Sequence, residues 1–350
     1  MPFLRFVIGI LIGAITIYWL FRGTDWHAII LTIDSAEVNK ILVGLVFMIA
    51  SQLTRAIRWY VIIKESFPTR FSAVYMSGQL GLLINFLIPA RLGELIRAYL
   101  LAKENQVSVA QCLGTIMIDK SFDLIIMLLA IVLLSFIISS HGELSIPAFL
   151  AGTQNTVTIS NAVVDYGVIM IGVMLAVLII LLVLVYLKYS IVNKYILHIL
   201  FFLPDQWKGK LTNAIERTAD GLHILNSTKS LLMALLWSFI IWVFSYLAIY
   251  FIISALRDTS LITPFIVLVL VAVFISIPIV PGVVGQYHIA VIIGLLFLNP
   301  DMPKEKLISI ALITHFMTLF TTVSLGAGAL LRAHTSFLSV LSTISKSKRV

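Results

Sequence analysis

Long apolar runs separated by short polar ones set the pattern of this chain. Six of them, at about 3–21, 40–63, 107–139, 163–187, 229–254 and 304–333, are near or above the roughly 20 residues that a helix needs to cross a bilayer. The run from Val168 to Leu187 is continuously apolar and shows none of the period-2 alternation of a transmembrane barrel. Two further apolar stretches, 72–102 and 264–298, are interrupted, the first by Pro89-Ala-Arg-Leu-Gly93 and the second by Pro278-Ile-Val-Pro281-Gly-Val-Val-Gly285. Their halves run to roughly 12–17 residues, the length of a re-entrant half-helix. Proline removes a backbone donor there and glycine permits the chain to reverse.

Composition agrees with this reading. The chain is 60% hydrophobic and 11% charged, and its mean hydropathy of +1.08 excludes a water-soluble globule. The expected fold class is therefore an all-α polytopic membrane protein.

Charge then orients it. The 188–229 loop carries Lys188, Lys194, Lys208, Lys210, Arg217 and Lys229, the C-terminal tail carries Lys346, Lys348 and Arg349, and the 140–162 loop carries neither Lys nor Arg. By the positive-inside rule the first two are cytoplasmic and the last is external. With both broken stretches re-entrant, the N- and C-termini are cytoplasmic, the 72–102 hairpin enters from the cytoplasm and the 264–298 hairpin from outside. Each half then reads span, span, broken hairpin, span, in opposite orientations, which is an inverted repeat. The boundaries expected are a first repeat at 1–139, an external loop at 140–162, a second repeat at 163–333 and a basic tail at 334–350. The two breaks share the pattern P-x-x-x-G-[E/Q], from Pro89 to Glu94 and from Pro281 to Gln286. Within the 188–229 loop, Leu211, Ile215, Leu222 and Leu225 recur at helical spacing among charged residues, as in a helix lying along the membrane surface. The net charge of +8 sits in loops flanking apolar runs, the signature of a membrane surface rather than of a nucleic-acid partner.

Ionisable groups inside apolar spans are costly, about 2.5–3.5 kcal/mol each at mid-helix, and normally face a cavity or a partner. They gather in the first half: Arg55 and Arg58, then Arg91, Glu94 and Arg97 around the first break, then Asp119, Lys120 and Asp123. Spacings of three and four put Arg55 with Arg58, Glu94 with Arg97, and Asp119 with Asp123 on common helix faces. Guanidinium forks suit phosphate oxygens, and backbone amides at a half-helix break add a positive dipole end. A buried ion-pair network that only holds the hairpin is the competing reading, and Arg58 and Arg97 also stand near enough to Lys64 and Lys103 to snorkel to the interface. In the second half His288 and His315 lie at comparable depth. Cys112 is the one cysteine, and no histidine spacing suits a metal, so neither metal nor cofactor is expected. Nucleotide-binding and hydrolase motifs are absent too.

The run Asn85-x-x-x-Pro89-x-Arg91-x-Gly93-Glu94-x-x-Arg97, with Asp119 and Asp123 following and Pro281-Gly282-x-x-Gly285 later, resembles the lysylphosphatidylglycerol synthase transmembrane-region family, also called flippase-like. The resemblance covers nearly the whole chain. It implies a lipid translocator in a bacterial-type inner membrane that moves an anionic phospholipid or polyprenyl-phosphate-linked lipid. Taken with the ionisable groups inside the spans, the resemblance gives as candidate binding residues Arg55, Arg58, Asn85, Arg91, Glu94, Arg97, Asp119, Asp123, Gly282, Gly285 and His288. Two departures stand out: the family pattern P-G-G-x-G-x-x-E reads here with Val283 at its third position and His288 at the glutamate, and His315 stands for an arginine in the last span. No aminoacyltransferase domain is expected in the short tail, so lysyl-lipid synthesis is not. An intramembrane lipid transferase using Glu94, Asp119 or Asp123 as base, and a non-transporting partner of a lipid-synthesis enzyme, are the alternatives.

Overall fold

The computed structural model describes residues 2–87, 92–141, 144–146, 157–159, 205–276 and 280–332, with isolated positions between 166 and 184. The expected span 163–187, the tail 334–350 and Arg91 therefore lie wholly or largely outside the described residues.

Helices dominate: α1 (Pro2–Phe21), α2 (Trp26–Asp34), α3 (Val38–Ile63), α4 (Phe71–Leu87), α5 (Leu92–Asn105), α6 (Val109–His141), α7 (Asp205–Asp220), α8 (Thr228–Ser254), α9 (Ile262–Ser276), α10 (Gln286–Leu298) and α11 (Lys304–Arg332). Between α6 and α7 two three-residue strands, β1 (Leu144–Ile146) and β2 (Val157–Ile159), pair antiparallel with Leu144 opposite Ile159. Helices α1, α3, α6, α8 and α11 fall within a few residues of the expected spans. Helix α2 is additional, and it starts where the Asp25 carboxylate accepts the amides of His27 and Ala28 at 2.9 and 3.3 Å.

Among the described residues five stretches are long and apolar enough to cross a membrane: Val38–Ile63, Val109–Ile137, Thr228–Ser254, Pro281–Leu298 and Lys304–Arg332. The fourth reaches that length only by including a 3-10 turn at Pro281–Val283, where Gly282 stands at φ 63°. Large apolar side chains such as Val46, Leu133, Phe136 and Leu235 point outward. That much exposed hydrocarbon suits lipid rather than water as the surrounding solvent. The chain is a multi-pass α-helical membrane protein.

Small residues bring the long helices together. Helices α3 and α8 meet along most of their length: Gly44 lies against Ala248 and Ile252, Ser51 hydroxyl is 3.0 Å from that of Ser245, and Arg58 reaches Ser238. Rising numbers on α3 face falling numbers on α8, so the pair is antiparallel. The two broken stretches each form a helical hairpin by the same test. In the first, Gly81 abuts Gly93 and Arg97 while Asn85 meets Glu94. In the second, Gly294 abuts Val267, and Gln286 Nε2 donates to the Phe274 carbonyl at 3.4 Å.

The end of α4 approaches the second break. A Cβ placed on Gly282 would lie 3.3 Å from the Phe86 ring at the end of α4, and Gly326 of α11 sits against Leu83. Helix α1 covers the second break through Gly13 against Val280 and Thr16 against Gly285. On the opposite flank Gly114 and Gly221 let the end of α7 touch the backbone of α6, and Leu222 and Ile224 just beyond are fully buried.

Candidate functional site

Four helices deliver polar groups to one place. Helix α3 brings Gln52, Arg55, Arg58 and Trp59; α4 brings Gln79, Gly81 and Asn85; α5 brings Glu94 and Arg97; and α6 brings Asp119, Lys120 and Asp123. They line a cleft with about 470 Å³ of space between atoms, its open mouth included.

Arg58 is the hub. Its Nε and Nη2 each lie 2.9 Å from Asp119 Oδ1, Nη2 also donates to Asp123 Oδ1 at 2.7 Å, and Nη1 donates to the Ser238 hydroxyl at 2.9 Å. All three guanidinium nitrogens are engaged, which the planar fork allows and an ammonium would not. With 1% exposure for Arg58 and 3% for Asp119, this is a dry ion pair that survives because each charge is matched and hydrogen-bonded.

Arg97 completes the next link. Its Nε stands 2.6 Å from Glu94 Oε2, one turn back on α5, and its Nη2 donates to Asp119 Oδ2 at 3.2 Å. The guanidinium carbon lies 4.5 Å above the Trp59 ring, and Trp59 is held by its Nε1 donating to Thr115 at 3.2 Å. Asn85 closes the hairpin itself, accepting the Gly93 amide at 2.8 Å and donating to Glu94 at 3.3 Å. Snorkelling of Arg58 and Arg97 is thus replaced by inward pairing. Both side chains point across the bundle, because their helix faces look at α6.

The cations at the rim are held more loosely. Arg55 approaches Asp123 at 3.6 Å, and Lys120 approaches both Glu94 and Asp123 at 3.4 Å, with 37% of each cationic side chain exposed. Four cations and three carboxylates line the cleft among the described residues, so one positive charge is left over. Arg55 and Lys120 are the groups able to present it to a ligand. Lys120, Gln52, Gln79 and Trp59 are thereby added to the candidate residues. Lysine in the middle of the acidic span was legible as part of the cluster, whereas neutral glutamines inside apolar helices gave no signal of charge or periodicity.

The second-half candidates lie elsewhere. Gly282, Gly285 and His288 do not line the cleft. His288 Nδ1 accepts the Gly285 amide at 3.3 Å and so caps α10, which assigns its ring proton to Nε2. His315 Nε2 donates to the Gly282 carbonyl at 3.0 Å, and the two imidazoles meet edge to face at 4.7 Å. Val283 occupies the left-handed region at φ 51°, a conformation that disfavours a β-branched residue. Glycine at that position, as in the family pattern, would meet no such penalty. Among the described residues, no group of three or more His, Cys, Asp or Glu side chains is arranged to hold a metal ion.

Comparison with known proteins adds to this geometry. A UPF0104 membrane protein of Methanocaldococcus jannaschii is 44% identical over 45 residues, a match covering 13% of this chain and 19% of that protein. The match spans about a fifth of that relative's length, so it indicates kinship and transfers no activity. The sequence model described as the lysylphosphatidylglycerol synthase TM region matches residues 6–326, nearly the whole chain and all of the cleft. This protein belongs to the lysylphosphatidylglycerol synthase TM region family.

Proposed function

We propose that the protein moves a lipid with an anionic phosphate headgroup between leaflets, the headgroup entering the cleft between α3, α4, α5 and α6 while the tails remain in lipid. The observation that carries this reading is the excess of one positive charge among the described residues of the cleft, presented at its rim by the partly exposed Arg55 and Lys120. Arg58 and Arg97, ion-paired to Asp119, Asp123 and Glu94, serve as the scaffold that positions those two. The transferase alternative is weaker, since Glu94, Asp119 and Asp123 each already pair with one or more cations and none is left as a ready base.

Reconstituted proteoliposomes bearing a headgroup-labelled anionic phospholipid provide the test. The wild-type protein should equilibrate the label across the bilayer without chemical change to the lipid. Arg55→Gln and Lys120→Gln should each slow that movement by roughly tenfold, one charge-assisted contact each. Movement at the wild-type rate in the double variant would remove the phosphate site, and a change in lipid mass would favour the transferase.

Alternating access would come from an inverted repeat whose two hairpins enter from opposite sides of an inner membrane, with both termini cytoplasmic. Several features support it. The helical arms of the hairpins, at 17, 14, 15 and 13 residues, lie at or below the short end of the range for a crossing, and the last reaches 18 only with the turn that precedes it. Helices α3 and α8, equivalent in the two halves, pack antiparallel. His315 stands as far beyond Gly285 as Asp123 stands beyond Gly93. Single cysteines at Lys103 and at Asp301, both in exposed positions beside the hairpins, should accordingly react with an impermeant maleimide from opposite faces of oriented vesicles. Reaction from the same face would mean that one hairpin crosses completely.

A further inference from the structure

We infer that the cleft reads the lipid headgroup beyond its phosphate, through a subsite in which the amide oxygens of Gln52 and Gln79 accept hydroxyl or ammonium hydrogens. This rests on the translocator reading and names the class of lipid: a phosphodiester whose headgroup carries hydrogen-bond donors.

Gln52 projects from α3 and Gln79 from α4, and both line the cleft beside Arg55, Arg58 and Asp119. Gln79 is 1% exposed, and the side-chain oxygens of both residues are buried without a hydrogen-bond partner. An unpaired buried amide oxygen is unfavourable wherever it occurs, and two on residues that line one cleft from different helices make an acceptor pair for a ligand's donors. Asn85, in the same cleft, shows the contrast, since both ends of its amide are used in closing the hairpin.

Among the described residues no donor of the cleft reaches these oxygens. Arg58 donates to Asp119, Asp123 and Ser238, Arg97 donates Nη2 to Asp119 while its Nε faces Glu94 in an ion pair without hydrogen-bond geometry, and the rim cations lean toward Asp123 and Glu94. Phosphate and ester oxygens of a lipid are acceptors only. Donors on a membrane lipid belong to its headgroup, as the hydroxyls of a polyol or the N–H groups of an ammonium. A phosphodiester suits the described lining, whose one surplus cation matches its single negative charge, whereas a phosphomonoester carries about −1.5 to −2 at neutral pH.

Matched lipid pairs isolate the donors at constant charge. Binding to the purified protein in detergent would be titrated by thermal shift with dioctanoyl phosphatidylglycerol against dioctanoyl phosphatidylmethanol, and with the ethanolamine lipid against the choline lipid. Tighter binding by about tenfold is expected for the donor-bearing member of at least one pair, from two ordinary hydrogen bonds. The first pair reports hydroxyls and the second reports ammonium hydrogens. Gln79→Met and Gln52→Met, which keep the shape and lose the acceptor, should each shrink that ratio toward one. Arg55→Gln should weaken both members alike and keep the ratio. Two variants on different helices guard against misfolding of either one. Equal affinity within both pairs for the wild-type protein would overturn the subsite, leaving the glutamines to water, while a common loss in Arg55→Gln would leave the phosphate site intact. If none of the four lipids binds, the phosphate site and the subsite fall together. Preserved binding ratios in a protein that moves no lipid would instead reject translocation alone.

Discussion

Arg58→Met should melt far below the wild-type protein in detergent, with a loss of about 3–5 kcal/mol, the range for removing one partner from a buried ion pair. Methionine roughly fills the volume of the stem, so the loss isolates the stranded charges. The guanidinium makes short contacts to Asp119, Asp123 and Ser238 from three of its nitrogens, and at 1% exposure no water is at hand to replace it. Arg58→Lys should recover only part of the loss, because a single ammonium cannot span Ser238 and both carboxylates. Adding Asp119→Asn to Arg58→Met should restore stability toward wild type by removing the uncompensated negative charge. A melting temperature for Arg58→Met equal to that of the wild type would show that the network holds nothing together.

Gly93→Ala should be nearly as severe, for a steric reason. A Cβ on Gly93 would collide with the Gly81 carbonyl and stand 2.7 Å from the Asn85 side-chain amide. The obstacle on one side is backbone, so relief requires the arms of the hairpin to part. Overpacking of this kind costs about 1–3 kcal/mol or more, and parting the arms also breaks the Gly93 amide to Asn85 bond. Because Glu94 and Arg97 ride on the displaced arm, lipid movement should fall together with stability. Gly209→Ala on α7, where a Cβ meets nothing within 4 Å, serves as the control and should leave both unchanged. Wild-type melting and transport in Gly93→Ala would mean that the close crossing is not required.

What could be read from the sequence followed from interactions along the chain. Apolar run length located α3, α6, α8 and α11, and prolines with glycines marked the turns between α4 and α5 and between α9 and α10. Spacing of three predicted that Glu94 and Arg97 share a face, and they pair at 2.6 Å. Contacts between helices carried no such signal. The partnership of Arg58 with Asp119 and Asp123 depends on the rotation of α3 about its axis, and distance from Lys64 along that axis says nothing of rotation. Rotation likewise leaves Arg55, on the same helix, partly exposed at the rim. Helix α2 was missed because nine residues are too few to suggest a crossing. Its start was marked only by Asp25, a capping residue as common in turns. The left-handed conformation of Val283 was signalled only by its place where the resembled pattern has glycine, since a valine by itself favours extended backbone.

The ion-pair knot also decides where the molecule can give way. It ties α3 to α6 through Arg58, α6 to α5 through Arg97, and α3 to α8 through Ser238, so these elements form one stiff body. Against it rests a seam of a different kind, in which Phe86 and Leu83 touch Gly282 and Gly326 through van der Waals contact. Inside a bilayer such a seam is lubricated: separated apolar surfaces are wetted by lipid chains as apolar as themselves, and little driving force recloses them. Shear would run along the seam first and leave the charges in register.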